Sequence, residues 1–241
     1  MPTAVHPTTP SSPPQIDSEK INLENIETNG NGDVGLNIVS SKKINVKNAK
    51  AKSNDVDGIL IYRSDDISLI DTVSTGNSNS GIFILDSKKI DLENFEGNGN
   101  GFSGMFIDFS YSPALELSLK GSISLNDNGN IGLYAISSRG FYGLYVNDSE
   151  GSITLFGELE ANDNDEFGIR LDSFLGFINF SIEDGASLSA CGNKGADDIL
   201  IGSSSSLTLV PGGTCTGSTS GSGTIPGCNA CPPTPSPTPL I

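Results

Sequence analysis

The chain has 241 residues, 29 acidic against 13 basic side chains, a formal net charge of −16, a single His and no Trp. That balance excludes nucleic acid as a partner, because no basic patch is available to neutralise phosphates. No apolar run approaches the length of a membrane span, and one His, His6, in a Pro-rich stretch removes most imidazole-based acid–base and zinc chemistry.

Residues 1–15 are rich in Pro, Thr and Ser and have no core-forming pattern, so they read as a disordered linker. No charged stretch followed by an apolar one marks a signal peptide, and linkers at both ends suggest a module from a longer chain. From residue 21 the sequence repeats. Ile21-Asn-Leu-Glu, Ile44-Asn-Val-Lys, Ile67-Ser-Leu-Ile and Ile90-Asp-Leu-Glu begin 23 residues apart, each of the last three preceded by a polar corner (Ser41-Lys-Lys, Ser64-Asp-Asp, Ser87-Lys-Lys). Within each repeat a Gly leads an alternating run: Gly35-Leu-Asn-Ile38, Gly58-Ile-Leu-Ile61, Gly81-Ile-Phe-Ile84 and Gly104-Met-Phe-Ile107. Looser copies follow at Gly132 and Gly168, and a last one at Ile199-Leu-Ile201 lacks the Gly. Period 2 inside the runs and a fixed longer period between them predict short strands in stacked coils, each coil burying what its neighbour exposes. Three apolar groups per repeat, such as Ile21/Leu23, Ile26 and Leu36/Ile38, predict three sides to a coil.

A column of Asn stands four residues before each Gly: Asn31, Asn54, Asn77, Asn100, Asn128 and Asn164, with Asn193 in the last coil. Stacked amides at one bend predict an Asn ladder. The Asn-Gly pairs at 29–30, 31–32, 98–99, 100–101 and 128–129 are expected to supply the positive-φ residues of these bends.

On these residues the chain resembles the right-handed parallel β-helix of the pectin-lyase-like superfamily, whose repeats read roughly N-x-x-x-G-φ-x-φ. The resemblance implies an all-β, single-stranded right-handed parallel β-helix of about seven coils over residues 16–210. It implies activity only weakly, because lyases, hydrolases, epimerases and non-catalytic surface modules share the architecture. The G-H-G and R-x-K motifs of relatives that hydrolyse polygalacturonate are missing, as is the Asp-Pro-His-like motif of alginate epimerases. Asp65-Asp66 reads as a solvated corner and Asp197-Asp198 as a chain-end substitution. The expectation is therefore a non-enzyme, with a polysaccharide lyase or hydrolase as the alternative. No cofactor is expected. Oxygen-rich turns at Asn31-Gly-Asp33, Asn54-Asp-Val-Asp57 and Asn164-Asp-Glu166 make calcium a weak candidate, since Asp33 gives way to Phe102 and Ile131 in later coils.

The informative departure lies on the outside. Between the inward pairs of the Gly-led runs, one outward column reads Asn37, Leu60, Phe83, Phe106, Tyr134, Arg170, Leu200, and the next reads Val39, Tyr62, Leu85, Asp108, Ile136, Asp172, Gly202. An apolar outer strip marks a binding groove or an interface. Tyr62, Phe83, Phe106 and Tyr134 are the predicted substrate-binding residues, with a polysaccharide or cell-surface glycan as partner. The alternatives are a protein partner on the same strip, or cover by the lengthened corners at 109–115 and 137–151.

Cys191 falls in the last coil and Cys215, Cys228 and Cys231 in a Gly/Ser-rich segment, 211–231, expected to cap the open end through disulfides; three pairings are open. Residues 232–241 are a second Pro/Thr linker. Disulfides and the sequons at Asn147 and Asn179 point to an extracellular or cell-surface location. The resulting expectation is a secreted or surface module for carbohydrate binding, adhesion or wall association, with a structural spacer as a third reading.

Overall fold

Alternation decides the strands. In each Gly-led run the first and third residues are buried and the second and fourth half-buried, as in Leu36–Val39, Ile59–Tyr62, Ile82–Leu85 and Met105–Asp108. The computed structural model describes residues 15–16, 19–108, 114–137, 150–173, 177–194, 198–202, 205–221 and 228–231. Every helix or strand element within them is a strand.

The strands stack in parallel into two long sheets. Sheet A consists of Gln15–Ile16, Leu36–Val39, Ile59–Tyr62, Ile82–Leu85, Met105–Asp108, Leu133–Ser137, Ile169–Ser173, Ile199–Ile201 and Thr219–Gly221. Sheet B runs through Ile21–Glu24, Lys42–Lys47, Asp65–Thr75, Lys88–Glu96, Ala114–Ser124, Glu150–Leu155, Phe177–Ile182 and Ser205–Leu209. The expected third side is present as Glu27–Asn29, Lys50–Lys52, Glu158–Glu160, Ser187–Ser189 and Thr214–Thr216, fused elsewhere into the long strands of sheet B. Asn25, Asn48, Asp71 and Asn94 each turn the chain at this corner with one left-handed residue, at φ between 52° and 57°. The strands stop at the first two and run on past the last two, with pairing resuming one residue after the bend. The chain is thus a β-solenoid of about seven turns with parallel strands.

The core is the seam between the sheets. Ile44, Ile67, Ile90, Leu117, Ile153, Phe180 and Leu207 form one inward column of sheet B, all at 2% exposure or less. Ile38, Ile61, Ile84, Ile107, Leu171 and Ile201 are buried on sheet A. One coil has no interior of its own. Burial of each Ile depends on the coil above and the coil below.

The Asn ladder spans the whole stack. Each amide Nδ2 donates to the Oδ1 of the next Asn, from Asn31 to Asn54 (2.9 Å), Asn77 (2.8 Å), Asn100 (3.0 Å), Asn128 (3.2 Å), Asn164 (3.1 Å) and Asn193 (3.0 Å). The same Oδ1 also accepts the backbone N–H of the preceding Asn, so every rung is bidentate. Asp198 ends it, accepting from Asn193 and, through its other oxygen, from the N–H and hydroxyl of Ser218. The reading of Asp198 as a bare chain-end substitution misses this. A last rung needs acceptors on both sides, which a carboxylate has and an amide lacks.

The turn chemistry differs from expectation in position. The left-handed residue directly precedes each ladder Asn: Gly30, Ser53, Gly76, Gly99, Asp127, Asp163 and Gly192. Of the expected Asn-Gly pairs only 29–30 and 98–99 serve this purpose. Gly101 and Gly129 have ordinary φ and are instead pressed against the backbones of Ser78 and Gly101 one coil away. The strand-leading glycines answer the same need. A Cβ on Gly81 would lie 2.6 Å from the Gly104 carbonyl and 2.8 Å from Asn100 Nδ2, so only Gly leaves room for the ladder.

At the C-terminal end the disulfides are Cys191–Cys231 and Cys215–Cys228. They hold residues 228–231 against the last strands, where Asn229 N–H donates to the Cys215 carbonyl and Gly217 N–H donates to the Asn229 carbonyl. Strand pairing continues past residue 210 to Gly221. The expected linkers, apart from Gln15, and most of the lengthened corners (109–113 and 138–149) lie outside the described residues.

Candidate functional site

Register aligns the outer face of sheet A. Leu60, Phe83, Phe106, Tyr134, Arg170 and Leu200 are paired in succession, as are Tyr62, Leu85, Asp108, Ile136 and Asp172. Because parallel strands lie about 4.8 Å apart, identical flat side chains on neighbouring rungs stack. The Phe83 and Phe106 rings do so, with centroids 4.8 Å apart and planes 10° from parallel. Phe102, from the corner leading into the same strand as Phe106, meets that ring edge-on at 5.8 Å. All three rings are half-buried.

Two of the four predicted residues, Phe83 and Phe106, are therefore one platform. Tyr62 lies one rung away from Phe83 and two residues further along its strand, beside Leu85, and Tyr134 takes the rung after Phe106. Arg63 places its guanidinium over the Tyr62 ring at 4.7 Å, and Arg170 lies 5.8 Å from the Phe167 ring. The sequence reading missed Phe102 and Arg63. Phe102 was legible as an aromatic in a column otherwise reading Asp33, Val56 and Asn79. Arg63, a left-handed residue at φ 48°, was not legible, because the sequence pattern does not say where a corner side chain points.

The oxygen-rich corner next to this face is used structurally. Asp57, 3% exposed, accepts from Asn79 Nδ2 at 2.8 Å and from the Ser80 N–H at 2.9 Å. Burial holds its carboxyl above the ordinary range, and the nearby Asp33 charge adds to this while the hydrogen bonds oppose it. Asp165 pairs with Lys194. Among the described residues no cluster of three or more His, Cys, Asp or Glu is placed to hold a metal. No helix among them is long and apolar enough to cross a membrane.

No protein-family model and no curated protein matches the chain. In fold it is similar to the A-module of the mannuronan C-5 epimerase AlgE6 from Azotobacter vinelandii, with a TM-score of 0.59 and 15% identity. The match covers 90% of this chain and 65% of the other, so the chain spans less than two thirds of that structure's length. The shared feature is the coil stack.

That likeness corrects the expectation of a non-enzyme. That similar coil stack is a mannuronan C-5 epimerase module, so the missing hydrolase and epimerase motifs do not by themselves make a coil stack inert. The physical reason is that such motifs report particular acid–base arrangements. One outer sheet supports other arrangements by exchanging side chains at fixed rungs.

Proposed function

We propose that the chain is a polysaccharide-active β-helix module whose substrate lies along the outer face of sheet A. The observation that carries this reading is the Phe83–Phe106 stack, a flat apolar platform on an outer sheet face, where a sheet facing water is ordinarily polar. Tyr62 stands one rung from Phe83 in the neighbouring outward column, register puts Tyr134 on the rung after Phe106, and Arg63 and Arg170 supply donors at the margins. Asp108 follows Phe106 by two residues on the same strand, and register puts Asp172 two rungs from it with Ile136 between. Asp108 thus sets a carboxyl beside the platform, the group type that acid–base chemistry at a sugar linkage requires. The similar epimerase module supports polysaccharide as the partner. Two disulfides support an extracellular or cell-surface setting.

The test is a panel of neutral and uronate polysaccharides, scored for binding by affinity electrophoresis and for turnover by reducing ends, unsaturated products and sugar inversion by NMR. Replacing both Phe83 and Phe106 with Ala is expected to weaken binding about tenfold or more with the far-UV spectrum unchanged. Asp108→Asn is expected to retain binding and lose turnover. A panel with neither binding nor turnover overturns the reading, and turnover that survives Asp108→Asn overturns the assignment of that residue.

A further inference from the structure

The two ends of the stack are finished differently. At the C-terminal end the Asn ladder closes on Asp198 and Ser218, and a disulfide-held segment lies across the last strands. At the N-terminal end Gln15–Ile16 covers sheet A, pairing with Asn37 and Ile38, but among the described residues Ile21–Glu24 of sheet B pairs on one side only. Ile21 and Leu23 point inward yet are only partly buried, and among the described residues no further coil covers them. Asn31 donates to Asn54, but among the described residues nothing donates to the Oδ1 of Asn31. An uncovered strand edge with apolar residues behind it is a pairing surface.

We propose that this edge docks a second copy of the chain, head to head, through antiparallel pairing of residues 20–24 about a two-fold axis at Asn22. The backbone supports the register. Asn25 N–H donates to Lys47 in the coil below, so strand alternation turns the N–H and C=O groups of Asn22 and Glu24 towards the open edge. Centred on Asn22, the two copies exchange the paired hydrogen bonds of an antiparallel ladder. Charge supports it too. Lys20 and Glu24, both exposed, then face Glu24 and Lys20 of the other copy. Ile21 of each copy lies opposite Leu23 of the other, which closes the end of the core. An isologous contact of this kind stops at two copies, so it closes the edge without starting a fibre.

Light scattering after gel filtration is expected to give about twice the 25.0 kDa chain mass. Lys20→Glu and Glu24→Lys should each weaken the dimer about tenfold or more, and the two together should restore it. Asn22→Cys should cross-link to itself under oxidised glutathione, since directly opposed residues lie about 5.5 Å apart, whereas Asn45→Cys one rung down should not. A far-UV spectrum identical to the parent's confirms that each variant is folded. A monomer across the concentration range overturns the proposal, as does a dimer indifferent to the charge exchange. A monomer whose Asn22 and Glu24 amides resist hydrogen exchange means that residues 1–14 cover the edge, and likewise overturns it.

Discussion

The first four coils and the last three solve the same problem with different regularity. From Asn31 to Asn100 every ladder step is 23 residues, whereas the following steps are 28, 36 and 29. The ladder bond stays between 2.8 and 3.2 Å throughout. Chain length therefore varies freely at some corners and not at all at the Asn corner. The Asn bend is fixed because it is buried. Its amides have no water to fall back on, so each needs the next at one height. Most of the extra residues enter outside the described strands, between 108 and 114 and between 137 and 150, and one enters at Gly121, where the strand bulges on the solvent side.

The sharpest way to break the equivalence is to remove a rung from each half. Asn77→Ala strands the buried N–H and amide donors of Asn54 and should destabilise the fold by about 3–5 kcal/mol in urea unfolding. Asn164→Ala, which strands Asn128 in the same way, should cost a similar amount. A much smaller loss at Asn164 would mean that the irregular half leans on its ladder less than its geometry implies.

Opening the cap comes next. Replacing Cys191 and Cys231 with Ser should lower stability by about 2–4 kcal/mol. Hydrogen exchange should accelerate first in Ile199–Ile201 and Thr219–Gly221 and leave Ile82–Leu85 protected.

Gly81→Ala tests the space beneath the ladder. With the Gly104 carbonyl at 2.6 Å, the added methyl should cost about 1–3 kcal/mol by thermal unfolding, although φ at Gly81 is not left-handed.

The smallest effect concerns pH. Burial raises the Asp57 carboxyl in the folded state, so the fold binds its proton more tightly than the unfolded chain does. Its contribution is intact below about pH 4 and is lost as pH rises through the folded-state value. Asp57→Asn, which keeps the acceptor for Asn79 and Ser80, should therefore gain stability over the parent at pH 7 and match it near pH 3. An equal difference at both pH values would show that the substitution acts through packing.

Much of this was legible in the residues. The 23-residue period, the Gly-led alternation and the Asn column placed the strands, the inward faces and the ladder, because buried columns in a stack require the same residue at the same height in every coil. Phe83 and Phe106 were legible as neighbours for that reason. Where coils lose the period, the reading loosened: Asp198 passed as a substitution because its role depends on Ser218, 20 residues further on. The left-handed residues were misplaced because Ser53, Asp127 and Asp163 adopt that conformation without being Gly. Asp65-Asp66 read as a plain solvated corner. Register adds that Asp65 stands between Lys42 and Lys88 along the stack.

The sequence by itself determined a stacked parallel β-helix, its inner seam and the outward aromatic column, since translation along one axis turns a sequence period directly into a spatial neighbour. Only the tertiary structure decided which cysteines pair, how the ladder ends, that Phe102 joins the platform and that Arg63 covers Tyr62. Those contacts join residues at no fixed separation, across corners whose course depends on the packing of the whole coil.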